Sequence, residues 1–376
     1  MKYLRWLLFP FSLLYCLVII IRNWCYDSGV FKSYKFDKPV ISVGNLDVGG
    51  AGKSPMTEYL IRLLKVDYKL ATLSRGYGRT TKGYLEAGVP DESPGLDDVL
   101  QPATHNSQLT TANQIGDEPA QFKHKFPDIT VAVCEKRVDG IKQLLPDHDL
   151  ILLDDAYQHR AVEPGLSILL FDYNRINEPH LLLPAGNLRE PFSGRWRAQI
   201  IIITKCPPTL TTNEQAIIAG KIELLPYQQL FFSSIAYQPL YNLEGQPGGV
   251  AIDNDTTVFL LTGIANAQPL LHYLNGLTPH IIHHNYPDHH PFSLKNITKL
   301  ADEFSACTSQ KKIIITTEKD AQRLDEFRVK SVSPVFTQMP VFVIPIGVEF
   351  LNGSGHRFDQ LILEYVREHR TFHSLH

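Results

Sequence analysis

The stretch Val40-Ile-Ser-Val-Gly-Asn-Leu-Asp-Val-Gly-Gly-Ala-Gly-Lys-Ser54 decides the fold of this chain. An apolar run is followed by glycines and then by Lys53 and Ser54, an order that predicts a strand, a phosphate-binding loop and the start of a helix. In such a loop the backbone N–H groups point at phosphate oxygens, the lysine neutralises them, and the serine hydroxyl can bind magnesium. The standard spacing requires glycine at position 47, where this chain has Asp47. The stretch therefore predicts nucleotide chemistry on a variant of the common loop.

The rest of the chain repeats this alternation of apolar runs and helical patterns. Runs without strict alternation are typical of parallel strands covered on both faces, and they occupy 40–43, 70–73, 129–133, 150–153, 168–171 and 200–203. The pattern predicts a P-loop NTPase-like α/β domain with a doubly wound, mostly parallel sheet over residues 29–232. A linker near 231–249 and a second, smaller α/β domain over 233–376 are expected to follow. In this second domain we predict helices over 263–275, 318–327 and 357–369, the last a candidate to return to the first domain.

The N-terminus is unusually apolar. The segment from Trp6 to Ile21 carries no charge, but it is shorter than the about 20 apolar residues that a bilayer crossing needs. The residues after it offer no small-residue cleavage site of the kind that follows a signal peptide. We predict that residues 1–28 form a membrane-anchor helix, inserted or spanning, with the globular part in the cytosol. The alternative is a hydrophobic helix docked on the protein core.

Composition excludes several classes of protein. The chain has 376 residues, 44% of them hydrophobic and 20% charged, which is an ordinary globular balance. A formal net charge of −3 gives no support to a nucleic-acid partner. The 5 cysteines lack the spacing of a zinc site or a disulfide framework, which fits a reducing compartment.

Two acidic motifs are candidates for chemistry. Asp154 and Asp155 end an apolar run, where P-loop enzymes hold magnesium directly or through water. Asp117 lies in Gly116-Asp-Glu-Pro119 and is open to two interpretations. It is either the cap of a helix N-terminus, which composition favours, or a catalytic base.

The basic motifs narrow the chemistry further. Asp288-His289-His290 fits a general-base or orienting pair better than a metal site. Arginines 75, 79 and 189 stand in turn motifs and could grip a phosphorylated ligand, or simply close the turns. Thr204-Lys-Cys-Pro207 lacks the aspartate with which GTPases read guanine, so ATP is the favoured nucleotide.

As a set, these motifs resemble the tetraacyldisaccharide 4′-kinase family, which phosphorylates a membrane-embedded precursor of lipid A. Val43 to Pro55 is similar to the family's loop, including the non-glycine residue at position 47. The other matching motifs follow in the family's order: 74–79, 116–119, 137–140, 154–159, 183–191, 262–266, 288–290 and 316–320. Small departures are Ala156-Tyr157, where Gly-Phe is more usual, and Ala267, where Pro is common.

The resemblance implies an ATP- and Mg²⁺-dependent kinase that transfers the γ-phosphate to the 4′-hydroxyl of a tetraacyldisaccharide 1-phosphate. It makes Asp117 the base, in place of the cap interpretation, with Lys53 as a catalytic residue and His289 assisting from the second domain. The implied ligand residues are Gly49, Gly50, Ala51, Gly52, Lys53 and Ser54 for ATP; Ser54, Asp154, Asp155 and Glu190 for magnesium; and Arg75, Arg137, Gln158 and His159 for the sugar headgroup.

The implied partners are the acylated disaccharide lipid and the inner leaflet of the bacterial inner membrane, on its cytoplasmic face. No nucleic acid and no obligate protein partner are expected. The competing hypothesis is a membrane-recruited P-loop ATPase switch that acts on a protein partner, and it predicts neither a base in the second domain nor a sugar acceptor. A metallochaperone nucleotidase that uses the histidines is a third, weaker alternative.

Overall fold

The computed structural model describes residues 8–88, 112–288, 290–329 and 339–371. The chain divides into two compact units. The larger contains Met1–Ala236 and Gly347–His376, and the smaller contains Tyr237–Ile346. The chain therefore leaves the larger unit once and returns to it.

The larger unit is built on a nine-stranded sheet. Its strands are β1 (Val40–Asn45), β2 (Leu70–Ser74), β3 (Leu85–Glu86), β4 (Thr130–Val133), β5 (Leu150–Asp154), β6 (Leu166–Asp172), β7 (Ile200–Thr204), β8 (Gln229–Tyr237) and β14 (Ile346–Phe350). Its helices are α1 (Phe9–Asp27), α2 (Lys53–Leu64), α3 (Ala112–Ile115), α4 (Asp117–Lys125), α5 (Arg137–Leu144), α6 (Thr212–Ile222) and α10 (Gly355–Thr371), with 3₁₀ turns at Tyr173–Arg175, Phe192–Arg197 and Leu351–Gly353.

The order of the strands brings the sequence motifs to one edge of this sheet. The order is β14-β8-β7-β6-β1-β5-β2-β4-β3, and the pairings from β8 through β4 are parallel. Strand β1 lies next to β5, with Val43 opposite Asp154. The glycine loop after β1 and the aspartates that end β5 are therefore neighbours at the carboxyl edge, where such folds bind ligands.

Burial explains why these runs form strands. Every residue of β1, β2, β5, β6 and β7 is buried, as expected of central parallel strands covered by helices on both faces. The predicted α/β class with a mostly parallel sheet is confirmed. The prediction of a linker from Phe231 was wrong, because this aromatic stretch continues β8, where Phe231 is 2% exposed and packs against Phe350 and Phe358.

The smaller unit has a five-stranded sheet in the order β11-β10-β12-β13-β9. Its strands are β9 (Tyr241–Asn242), β10 (Thr257–Thr262), β11 (Ile281–Asn285), β12 (Lys312–Thr317) and β13 (Val341–Ile344), and its helices are α7 (Gln268–Asn275), α8 (Leu294–Ala306) and α9 (Glu318–Val329). The helix predicted from Gly263 begins only at Gln268, because the segment between them forms the loop at the carboxyl end of β10. Strands β10 to β13 are parallel and β9 is antiparallel.

Helix α1 lies along the larger unit on a narrow polar stripe. The Ser12 hydroxyl donates to the carbonyl oxygen of Leu182 at 3.0 Å, and the Tyr15 hydroxyl donates to that of Arg189 at 2.8 Å. At the other end, Arg160 pairs with Asp27 at 2.6 Å. Ile19 is buried at 7% exposure, whereas eight other apolar side chains are 50–62% exposed: Phe11, Leu13, Leu14, Leu17, Val18, Ile20, Ile21 and Trp24. The helix is thus docked along one side and leaves a broad apolar face open.

Candidate active site

The glycine loop adopts the conformation that its sequence predicts. Gly52 has the left-handed φ of 82° immediately before α2, where a side chain would be strained. The end of β7 holds this loop from the side. The Thr204 hydroxyl donates to the carbonyl oxygen of Ala51 at 2.9 Å, and Lys205 donates to that of Gly50 and pairs with Asp172. The Thr-Lys pair, which the sequence analysis used only to judge base specificity, therefore supports the phosphate loop.

Lys53 begins α2 and lies in a set of fixed polar partners. Its Nζ donates to Asn45 Oδ1 at 3.3 Å and lies 3.8 Å from Asp155 Oδ1. Arg189 grips both oxygens of Asp155, at 2.8 and 3.2 Å, and also donates to the Asn45 side chain and carbonyl oxygen. Burial would raise the pKa of the Asp155 carboxyl, but Lys53 and Arg189 hold it below its ordinary value. Asp155 is therefore an ionised residue that orients Lys53.

Asp154 has very different surroundings, although it is the next residue back. It is 1% exposed, its Oδ1 accepts a hydrogen bond from the Thr57 hydroxyl at 3.1 Å, and its Oδ2 bonds to no group in the described part of the chain. Burial, followed by the nearby charges of Glu118 and Asp155, raises the pKa of Asp154 to about 7. A buried carboxyl with one oxygen that bonds to no described group is suited to bind a cation.

Glu118 belongs to the same place. The Ser54 hydroxyl donates to Glu118 Oε1 at 3.0 Å, so a serine, a glutamate and a buried aspartate supply oxygen atoms beside the glycine loop. Oxygen donors are what Mg²⁺ prefers. No group of three or more His, Cys, Asp or Glu residues among those the structure describes is arranged to hold a metal. The oxygen set therefore fits an ion that also takes ligands from phosphate and water, as Mg²⁺ commonly does.

Asp117 is the first residue of α4, next to Glu118. The cap of this helix is Gly116, which has no side chain, so the capping interpretation of Asp117 was wrong. Buried Glu58 ties α4 to α2, because it accepts from Gln121 at 2.9 Å and pairs with Lys125 at 2.6 Å. The helix that carries Asp117 is thereby fixed against the helix that carries Lys53 and Ser54. His289, its expected assistant, lies outside the described residues.

Glu190 is fully buried and has its own set of donors. Its two oxygens accept from Arg197 at 2.8 and 3.0 Å, from Gln158 at 3.0 Å and from Asn23 at 3.5 Å. Gln158 also donates to the carbonyl oxygen of Asn45 at 2.8 Å. These contacts favour a positioning role for Glu190 instead of the magnesium role that the resemblance implied.

Positive charge converges on a second part of the site. Arg137 is 3% exposed, donates to the carbonyl oxygen of Cys134 at 2.9 Å, and its Nε has no partner in the described part of the chain. Burial lowers the pKa of Arg137 to about 10, although Asp155 and Asp154 oppose the shift. Burial, with the charges of Arg137, Arg75 and Arg22, lowers the pKa of His159 to about 4. A buried, partly unsatisfied guanidinium in a positive field is suited to an anionic ligand.

Two further arginines lie near this part of the chain, and the contacts of the first favour the turn-closing alternative. Arg79 closes its turn by binding Glu135 at 2.5 Å and the carbonyl oxygen of Gly83 at 2.6 Å through Nη2, while its Nε and Nη1 bond to no group in the described part of the chain. Arg22 is near enough to His159 to lower its pKa, and it comes from α1. No sequence signal distinguished Arg22 from the positive flank of an ordinary membrane helix.

Comparisons with known proteins match nearly the whole chain and its fold. The family model for tetraacyldisaccharide-1-P 4′-kinases matches residues 4–367. The chain belongs to the tetraacyldisaccharide 4′-kinase family. A tetraacyldisaccharide 4′-kinase from Phocaeicola vulgatus is 41% identical over 375 residues, covering 97% of this chain and 95% of its own. One from Flavobacterium johnsoniae is also 41% identical, covering 98% and 99%. A crystal structure of LpxK from Aquifex aeolicus in complex with ATP superimposes with a TM-score of 0.69 at 27% identity, covering 96% and 99% of the two chains.

Membership of the tetraacyldisaccharide 4′-kinase family confirms the predicted function. The chain is an ATP-dependent lipid A 4′-kinase, which transfers the γ-phosphate of ATP to the 4′-hydroxyl of a tetraacyldisaccharide 1-phosphate. The ATPase switch that acts on a protein partner is not favoured.

The motifs of the tetraacyldisaccharide 4′-kinase family in the smaller unit lie at the carboxyl ends of its strands. Asp320, which is fully buried, accepts from the backbone N–H of Gly263 at 3.0 Å and from the Thr317 hydroxyl at 2.7 Å. It thereby ties the loop after β10 to the junction of β12 and α9. His290 stacks on the ring of Tyr286 at 4.7 Å. These contacts give the motifs a structural role, because they hold the loops after β10 and β11 at one edge of the sheet.

Proposed function

We propose that Ser54, Asp154 and Glu118 hold the magnesium ion that the kinase uses. The observation that carries this proposal is Asp154 Oδ2, a buried oxygen without a described partner beside the Ser54–Glu118 hydrogen bond. When bound, magnesium neutralises charge that develops on the transferring phosphoryl group. Thr57 keeps the Asp154 carboxyl aimed by donating to its other oxygen.

Lys53 supplies the second positive charge. Asn45 and Asp155 hold its ammonium group, and Arg189 fixes the orientation of Asp155 by donating to both carboxylate oxygens. A lysine that is already oriented needs little rearrangement when phosphate enters the loop, which is how preorganised charge accelerates such reactions.

Asp117 is the base for the acceptor hydroxyl in this proposal. It accepts the proton of the 4′-hydroxyl while that oxygen attacks the γ-phosphorus, and the bond to the ADP oxygen breaks. The support is its position beside Glu118 on a helix that Glu58 fixes against α2. His289, from the family resemblance, is its proposed assistant.

We infer that Arg137, Arg75, His159 and Gln158 recognise the sugar headgroup, with the 1-phosphate as the anionic group. The unsatisfied Nε of Arg137 supports this role, because a phosphate would give the buried guanidinium the partner it lacks. His159 stays neutral near pH 7, since its pKa is lowered to about 4, so it can both donate and accept hydrogen bonds.

We also propose that α1 lies in one leaflet, at the cytoplasmic face of the bacterial inner membrane. Of the helices in the described part of the chain, α1 is long and apolar enough to cross a membrane by length and composition. Its bonds to the larger unit run from Ser12 to Asp27, roughly 22 Å along the helix axis, which favours lying flat over spanning. The exposed apolar face would meet the acyl chains among which the substrate resides. Neither a nucleic acid nor an obligate protein partner is part of this proposal.

Replacing Glu118 by glutamine tests the magnesium proposal. The variant should need about 10- to 100-fold more Mg²⁺ for half-maximal activity, because an amide is a poorer ligand than a carboxylate. The measurement is the Mg²⁺ dependence of lipid phosphorylation at saturating ATP. Glu163→Gln, which alters a surface pair with Lys35, is the matched control and should leave this dependence unchanged. An unchanged Mg²⁺ requirement in Glu118→Gln would remove Glu118 from the metal site.

Replacing Leu14 and Leu17 together by serine tests the membrane proposal. Both side chains are more than half exposed, at 62% and 54%, so the fold should be retained. Sedimentation with vesicles of phosphatidylethanolamine and phosphatidylglycerol should show binding weakened by at least about tenfold. Val66→Ser, at a site 81% exposed elsewhere on the same unit, should bind as the wild type does. Equal binding of all three proteins would contradict the proposed membrane face.

A further inference from the structure

Helix α1 contacts the segment between Leu182 and Glu190 at three levels. Ser12 bonds to Leu182 and also accepts from the backbone N–H of Ala185 at 2.9 Å. Tyr15 donates its hydroxyl to the carbonyl oxygen of Arg189 at 2.8 Å, and Asn23 reaches Glu190 at 3.5 Å. The hydrogen bond from Tyr15 to Arg189 is the shortest of these four, and Arg189 is the residue among them that binds the side chains around Lys53.

Arg189 connects this segment to the phosphate loop. Its guanidinium binds Asp155 and Asn45, and both of these residues hold Lys53. Its backbone N–H donates to the carbonyl oxygen of Leu46 at 2.7 Å, so the main chain of Arg189 is fixed from two sides. One side is the end of β1, and the other is Tyr15 on α1.

We propose that α1 is a structural part of the active site, in which Tyr15 is a positioning residue that sets Arg189 and, through it, Asp155 and Lys53. This inference rests on the roles proposed above for Asp155 and Lys53. A helix that served only as a membrane tether would need an apolar surface. It would not need a hydrogen bond to a residue that orients the catalytic lysine. Loss of the Tyr15 hydroxyl would leave the Arg189 carbonyl oxygen without its donor and free this segment to shift.

The same hydroxyl makes a precise test possible. Tyr15→Phe removes one oxygen atom and keeps the ring. Tyr26→Phe makes the same chemical change on the same helix, where the ring contacts Phe31 and Arg160 and the hydroxyl forms no hydrogen bond to any described residue. Both full-length variants would be assayed in detergent micelles, where attachment to a bilayer is not needed. The readouts are kcat at saturating ATP and acceptor, KM for each substrate, and vesicle binding.

We expect Tyr15→Phe to lower kcat about fivefold to tenfold with little change in vesicle binding, and Tyr26→Phe to leave kcat unchanged. In an Arg189→Ala or Arg189→Lys background, Tyr15→Phe should have no further effect, because the residue through which it acts has been altered. An unchanged kcat in Tyr15→Phe, or effects that simply multiply in the double variants, would overturn the inference. Failure of the wild type to phosphorylate the lipid is a separate result that would contradict the kinase assignment itself.

Discussion

A variant in which Asp117 is replaced by asparagine should phosphorylate the lipid acceptor about 10²- to 10⁴-fold more slowly than the wild type. The amide has nearly the shape of the carboxylate but cannot take the proton of the 4′-hydroxyl. Because Asp117 lies on α4 and not in the glycine loop, KM for ATP should stay close to the wild-type value. The measurement is the steady-state rate of lipid phosphorylation at saturating ATP and acceptor.

A matched substitution separates this effect from a general loss of negative charge. Asp128 pairs with Lys65 at 2.8 Å on the surface, and Asp128→Asn should retain wild-type kcat. Lipid transfer by Asp117→Asn at a rate near that of Asp128→Asn would exclude Asp117 as the base.

Asp154→Asn should have the second large effect, a decrease in kcat of at least about 100-fold. Asparagine can still accept from Thr57 but gives the proposed metal ion no charge. Raising the Mg²⁺ concentration should restore only part of the activity. Wild-type activity in this variant would contradict the metal role of Asp154.

Although Asp154→Asn should lower activity, it should raise the stability of the ligand-free protein at neutral pH. Burial raises the pKa of Asp154 to about 7 from an ordinary value of 3.8, so the folded protein holds a proton that the unfolded chain has released between these two values. The stability that this proton confers is fully present below about pH 4 and is lost as the pH rises through 7. Without Mg²⁺ and ATP, Asp154→Asn should therefore gain in Tm relative to the wild type as the pH is raised from about 5 to about 8. A Tm difference that stays constant over this range would show that Asp154 is ionised throughout.

Local sequence patterns were sufficient for the fold class and for placing two of the candidate site motifs at one edge of the sheet. The glycine loop, the apolar runs and the strand-terminal aspartates are each written in a few consecutive residues, and parallel pairing of β1 with β5 brings them together. Boundaries were less well predicted where aromatic residues looked like a linker, as at Phe231.

Contacts between residues far apart in the chain could not be predicted. From the sequence, Glu118 is only an acidic residue in the first turn of a helix, and its hydrogen bond with Ser54 is visible only in the structure. Likewise, Arg189 is only a turn residue in the sequence, and its bonds to Asp155 and Asn45 are visible only in the structure. The sequence of α1 is compatible with a membrane anchor or with a docked helix, and the structure combines a polar stripe bonded to the larger unit with an open apolar face. In each case the deciding partner is more than 30 residues away.

The kinase activity and the role of Asp117 are tested most directly by supplying the purified protein with Mg²⁺, ATP labelled in its γ-phosphate and a tetraacyldisaccharide 1-phosphate in detergent micelles. The product should be a bisphosphorylated lipid that carries the label at the 4′ position, and Asp117→Asn in parallel should form it at least about 100-fold more slowly. Label released only as inorganic phosphate would contradict the kinase activity, and label on the lipid at the same rate in both proteins would contradict the role of Asp117 as the base.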